Sequence, residues 1–390
     1  MKRRIFLSLW ITLSAFCHSA TAGDQAQNFA IRAGKIWTIT DGVITDGVII
    51  VRNGKIQAVR NRPDVPGKVK VLDMSDKHVM PGMIDAHCHI GLSLNILAEM
   101  DETVLAVAPD MQILDAFNPL ADDVKKALRS GVITVLLAPG NKNPIAGQTA
   151  VVKLYANKTR DWVLRRNAGV KFSLRDEALM FDRQPTSRAG LMVLVRERLN
   201  EGKAHKAEEF DPAGEVLKRV VDADLPAYVR AYTVDEIASA MTIIDEYGLN
   251  AVLVGAEQGD EVVDMIAERK LPVIYGPLLL FSKDKDLRRA GTMAKNGVKL
   301  AFASAAPKTT LNDLRTSAIL ATRYGLSPEV ALKSLTINPA EILGIADRVG
   351  SIQKGRDADL VILNGDPLQL TSGVEMVIVN GNIVYQRQEE

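Results

Sequence analysis

Apolar residues recur along this chain in two rhythms. Near both ends they form short β-branched runs broken by turn pairs, and between the ends strand-length apolar runs alternate with stretches of helical spacing. Residues 28–74 carry the first rhythm, punctuated by Asp41-Gly42, Asp46-Gly47 and Asn53-Gly54, pairs that tolerate the positive φ angles of tight hairpins. The far end repeats it in Asp359–Leu363, Glu375–Val379 and Ile383–Tyr385, with Asn380-Gly381 as the turn. Ile50–Ile56 and Ile378–Ile383 are near echoes of one another. Neither end has enough strands to bury a core alone, so residues 23–79 and 346–390 are expected to join into one small composite β-sandwich domain.

Residues 80–345 carry the second rhythm, which is that of an α/β fold with a parallel sheet and crossover helices. Strands are predicted at Met83–Ile90, Val132–Leu137, Ala150–Tyr155, Val170–Leu174, Ala227–Tyr232, Ala251–Gly255, Pro272–Tyr275 and Lys299–Ala303. Eight such strands suit a barrel. The third is ambiguous, because Ala150 to Arg165 reads equally as a hairpin lying over the barrel. Ser187–Glu209 is the longest predicted helix, and Thr233-Val-Asp-Glu236 has the form of a capped helix start.

Composition changes this picture at the N-terminus. Lys2, Arg3 and Arg4 precede an apolar run from Ile5 to Phe16, and Ala20-Thr21-Ala22 closes it with small residues. That is the form of a secretory signal peptide over residues 1–22, with cleavage expected before Gly23 and export to a bacterial periplasm. Its apolar run is too short to span a bilayer well. Cleavage removes three basic and no acidic residues, which takes the formal charge from +1 to −2. It also removes Cys17 and leaves Cys88 alone, so no intramolecular disulfide is expected. A nearly neutral chain without a basic run gives no sign of a nucleic-acid partner, and no membrane association is expected after cleavage.

The chemistry concentrates in Met80-Pro-Gly-Met-Ile-Asp-Ala-His-Cys-His-Ile90, a short strand entered through a Pro-Gly turn. Side chains alternate across a strand, so His87 and His89 share a face while Cys88 points away. Two imidazoles about 7 Å apart along a strand can converge on one metal ion. The motif Pro-Gly-x-Ile-Asp-x-His-x-His resembles the first-strand signature of the amidohydrolase superfamily. The similarity runs from about Asn28 to Tyr385, and Gly350–Ile362 is similar to that family's closing segment. The resemblance implies a (β/α)8 TIM barrel with a metal-dependent hydrolase site on the loops after its strands. It also implies His87 and His89 as metal ligands.

Compared position by position, the remaining site departs from the family. The loop Asn141-Lys-Asn-Pro-Ile-Ala-Gly-Gln148 resembles that of a secreted, imidazolonepropionase-like branch and is expected to shape the rim of the site. Lys153 is either the carboxylated bridging lysine of some relatives or an ordinary solvated lysine. Asp176, in Lys171-Phe-Ser-Leu-Arg-Asp-Glu177, occupies the place of a bridging glutamate, a third metal ligand unless it belongs to a plain charged loop. Arg230 replaces an imidazole after strand five; it has no lone pair to give a metal, and is expected to hold an anionic group of a substrate. Gly255 and Ala305 stand where relatives carry a second histidine and an aspartate base. The chain has five histidines, and His18, His78 and His205 are none of them placed to supply what is missing.

Two readings follow. In the first, the protein is an exported pseudoenzyme that binds a small-molecule ligand, or pairs with an intact homologous amidohydrolase or a second copy of itself. In the second, it is a mononuclear hydrolase of C–N bonds in dipeptides or other small amides, using His87, His89 and Asp176. The cofactor is accordingly one divalent metal, zinc by preference, or none, and no catalytic base is assigned.

Overall fold

A computed structural model describes residues 28–388 except 62–64, 66–68, 93–98, 157–158, 209 and 311–312. The segment read as a signal peptide, residues 1–22 with Cys17 and His18, lies outside the described residues.

The two ends of the chain do meet. Strands β1 (Phe29–Trp37), β2 (Val43–Arg52), β3 (Lys55–Arg60) and β4 (Lys70–Pro81) come from the N-terminal side. Beyond the barrel, strands β13 (Leu360–Leu363), β14 (Val374–Val379) and β15 (Asn382–Gln386) join them. All seven make one continuous ladder in the order β15-β14-β13-β4-β1-β2-β3, in place of the two facing sheets of a sandwich. Asn53-Gly54 turns β2 into β3 with φ of 50° and 73°, as read from the sequence. Asp46-Gly47 is not a turn: β2 runs straight through it in unbroken register with β1, with Asp46 at φ 49°. β4 extends two residues past the expected domain boundary, to Pro81, and Gly82 alone separates it from the barrel.

The barrel strands are β5 (Met83–Cys88), β6 (Val132–Leu137), β7 (Ile145–Lys153), β8 (Val163–Ser173), β9 (Ala227–Ala231), β10 (Ala251–Gly255), β11 (Val273–Tyr275) and β12 (Leu300–Phe302), adjacent in sequence order. Nine helices lie between and after them in the described residues: α1 (Asp122–Arg129), α2 (Arg188–Ala204), α3 (Pro212–Val221), α4 (Val234–Tyr247), α5 (Val263–Glu268), α6 (Asp284–Lys295), α7 (Asp313–Arg323), α8 (Pro328–Leu335) and α9 (Ile337–Ile342). Ser187 caps α2 by accepting from the Gly190 N–H, and Glu236 returns to the Thr233 N–H at the start of α4. The third strand belongs to the sheet, yet it is also the hairpin that its sequence allowed. β7 pairs antiparallel with both β6 and β8, while the other neighbours run parallel. Loop length dictates this. A parallel pair needs a crossover of about a dozen residues or more, and loop 138–144 is too short for one.

Alternation divides the strands between two cores. Val170, Phe172, Val229, Leu253, Val273 and Leu300 pack outward under the helices. Ile84, Leu136, Tyr228, Val254, Ile274 and Ala301 pack inward and fill the lumen. No ladder joins β12 back to β5 among the described residues. The gap is closed instead by Asp85, which accepts hydrogen bonds from the Ser304 N–H (3.2 Å) and the Ser304 hydroxyl, and by the His89 N–H donating to Ala306 O (2.8 Å).

Lys153 is the second tie. It is neither solvated nor beside the histidines. Fully buried at the end of β7, its Nζ pairs with Asp357 (2.8 Å) and Asp359 (2.7 Å) and donates to Asn380. Lys55 and Arg348 reach Asp357 as well, at 2.7 and 2.8 Å. Barrel and composite sheet are therefore joined through one buried ion cluster. Among the described residues no helix is long and apolar enough to cross a membrane. Lys153→Ala would leave the buried Asp359 without its cation while Asp357 keeps Lys55 and Arg348, so it should lower unfolding stability by about 3 kcal/mol, measured by urea denaturation followed by circular dichroism.

Candidate functional site

The lumen-facing residues near the strand ends build the site. A register shift in β5 between Asp85 and Cys88 turns Cys88 outward into the helix-side core, as its position in the motif suggested. His87 and His89 lie edge to face with ring centroids 5.2 Å apart, both nearly inaccessible. His89 Nδ1 donates to the Ala138 carbonyl at 2.8 Å, which leaves the Nε2 lone pair free. Burial first, and then the positive charge of Lys171, hold the His89 pKa down at about 3. Burial and Lys171 likewise hold His87 well below the usual imidazole range. Both rings are therefore neutral at pH 7.

Lys171 is the residue at the centre. It lies on the lumen side of β8, fully buried, with Nζ 2.8 Å from Asn141 Oδ1 and 3.1 Å from His87 Nε2. Burial, and then Arg230, push its amine well below the ordinary lysine range, with Asp101 and Glu177 opposing. Sequence reasoning missed Lys171 and Asn141 as site residues. The available signal was a lysine at an inward position of an otherwise buried strand, a placement that lysines almost never take unless paired.

Arg230 does reach the site. It faces the lumen one layer above Lys171, paired in register with Ser173, and its guanidinium donates to the Tyr232 hydroxyl. Asp176 does not. It begins a short 3-10 turn (Asp176–Ala178), its carboxylate is 74% exposed, and it pairs with Arg188 at 3.4 Å. The plain charged-loop reading of Asp176 is the one that the geometry supports. Gly255 faces Tyr232: a Cβ there would meet the ring at 2.1 Å, and φ is 96°. Tyr232 thus fills the space that a histidine at 255 would need. Ala305 sits at φ 54° beside Ser304 and offers no side chain to take a proton. His78 accepts from Trp37 Nε1 in the composite sheet, and His205 ends α2; both are structural.

A zinc site takes three or more protein ligands. Among the described residues no group of three or more His, Cys, Asp or Glu side chains could hold a metal. The expected set of His87, His89 and Asp176 is not assembled, and Lys171 engages the His87 nitrogen that a metal would require. The donors present do not fit a conventional zinc centre.

Comparison with known proteins agrees with the architecture. Residues 280–384 match the amidohydrolase family. The crystal structure of an amidohydrolase from Thermotoga maritima is 31% identical, with a TM-score of 0.86 over 92% of this chain and 100% of its own. The amidohydrolase tasK of Hapsidospora irregularis is 24% identical over 93% of the chain, which spans only 42% of that protein's length. An imidazolonepropionase from Thermoplasma acidophilum is 25% identical over 87% of this chain and 89% of its own.

Asp85 supplies a pH test. Burial raises its carboxyl to about 6, against the hydrogen bonds from Ser304 and the His87 N–H. The folded state therefore holds this proton more tightly than the unfolded chain does. Its contribution favours folding most below pH of about 4 and declines as pH rises through 6, by roughly 3 kcal/mol in all. Asp85→Asn removes this dependence. The stability difference, variant minus wild type, should grow by that amount from pH 4 to 7 in denaturant titrations, and a flat difference would refute the assignment.

Proposed function

The chain belongs to the amidohydrolase superfamily, and on that premise we propose that it is an exported member whose barrel mouth binds a small organic ligand without metal-assisted hydrolysis. One observation carries this reading: the Lys171 amine is hydrogen-bonded to His87 Nε2 and Asn141 Oδ1 at the heart of the site. Hydrolysis of a C–N bond needs an activated water and a group to take its proton. Gly255 and Ala305 supply neither an imidazole nor a carboxylate, and Arg230 can only donate. What remains is a recognition surface. Neutral imidazoles and Asn141 line it, Arg230 gives it charge, and the packed lumen beneath keeps water out.

The hydrolase reading keeps one supporting observation. His89, with Nδ1 tied to a carbonyl and Nε2 free, has the orientation of a metal-ligating histidine. Metal content separates the two. Mature protein expressed in metal-replete medium should carry substoichiometric zinc and manganese by elemental mass spectrometry, and should not turn over dipeptides or cyclic amides. Near-stoichiometric metal that vanishes in His87→Ala/His89→Ala would overturn the proposal. The export part rests on the leader pattern of residues 1–22, and a periplasmic product beginning at Gly23 is its expected outcome by N-terminal sequencing.

Restoring the family residue should fail for a steric reason. Gly255→His is expected to destabilise the fold and to recruit no metal, because Tyr232 holds its space. A gain of bound zinc in that single variant would show the pocket to be more yielding than its packing indicates.

A further inference from the structure

Three buried hydrogen-bond donors above Lys171 have no partner among the described residues: the Ser173 hydroxyl, Arg175 Nε and Arg230 Nε. They sit together at the ends of two neighbouring strands. Ser173 is fully buried and stands opposite Arg230 in the β8–β9 register, and the Leu174 N–H donates to Arg230 O at 3.0 Å. The Arg175 and Arg230 guanidiniums both lie against the Tyr232 ring, at 3.8 and 4.6 Å from its centre. Like charges held around one ring repel unless an anion joins them.

The carboxylates nearby do not satisfy that need. Glu177 is 3.8 Å from Arg230 and Glu236 is 3.8 Å from Arg175, beyond the range of about 2.7–2.9 Å for charge-assisted hydrogen bonds. Glu236 is already committed, accepting from the Tyr232 N–H (2.7 Å), the Thr233 N–H (3.2 Å) and Arg188 (3.3 Å). Glu177 is half exposed on the 3-10 turn and free to swing aside. Buried donors left unmade are costly, and a cluster of three with no acceptor points to an acceptor that arrives with a ligand.

We propose that Ser173, Arg175 and Arg230 form an oxyanion subsite that binds the carboxylate or phosphate end of the ligand, with Tyr232 holding the two guanidiniums in place. The Ser173 hydroxyl donates to one oxygen, and the planar guanidinium forks donate to the others. Glu177 is the internal competitor, displaced when the ligand enters. This rests on the ligand-binding reading above and names the charged end of what binds.

The test is calorimetric titration of the full mature protein with inorganic phosphate, succinate and the neutral probe acetamide. Saturable binding of phosphate or succinate is expected, weakening with added salt, and the stronger of the two distinguishes a phosphoryl from a carboxylate ligand. Arg175→Gln and Arg230→Gln should each weaken it about tenfold or more. Ser173→Ala should weaken it by a smaller factor. Glu177→Gln, an exposed change with little bearing on folding, should tighten it. Absence of saturable anion binding, or binding indifferent to both arginine substitutions, would overturn the subsite. Saturable acetamide binding with neither anion bound would do the same, while leaving the ligand-binding reading in place.

Discussion

A barrel whose first and last strands share no ladder stands or falls on what fills the seam. Here the Asp85 carboxylate spans it, taking the N–H and hydroxyl of Ser304 while also receiving the His87 N–H at 3.2 Å. One buried side chain therefore both closes the sheet and fixes the backbone from which the two site histidines project. An aspartate suits the task because it offers several acceptor lone pairs to donors on two strands. Its burial is expensive, and the raised proton affinity is the direct sign of that expense.

The same logic of buried charge governs the site. A lysine amine in the lumen is costly, since burial and Arg230 oppose its charged form, and His87 and Asn141 complete its hydrogen bonding. Around it the neighbouring residues reinforce one another. The small residue at 255 admits the Tyr232 ring; that ring seats Arg175 and Arg230; and those cations disfavour a metal dication nearby. Gly255, Tyr232, Arg175 and Arg230 thus make one interlocked pocket.

Much of this was legible in the residues. Val132–Leu137 and Ala251–Gly255 were readable to the residue, because apolar runs bounded by turns leave few alternatives. The joining of the two ends followed from counting strands too few to make a core. Direction was not legible in β7: a fully buried strand reads the same both ways, and only the short loop before it decides. His87 and His89 were found through their motif, and Arg230 through its position at the end of a strand. Asp176 stood between a metal ligand and a plain charged loop, and the 3-10 turn that leaves it exposed decides for the loop. Lys171 and Lys153 look alike in the sequence, both lysines in apolar strands. Only long-range partners, Asn141 and His87 for one and Asp357 and Asp359 for the other, tell their roles apart.

The ion cluster around Lys153 has a consequence for synthesis. Lys55 and Asp357 are separated by 302 positions, and β4 can complete its pairing with β13 only once the final segment exists. Loop closure over such a span is slow, so β1 to β4 must wait, incompletely covered, until β13 has been made. A polypeptide that cannot finish its fold before its last strands emerge stays threadable for as long as the ribosome holds it.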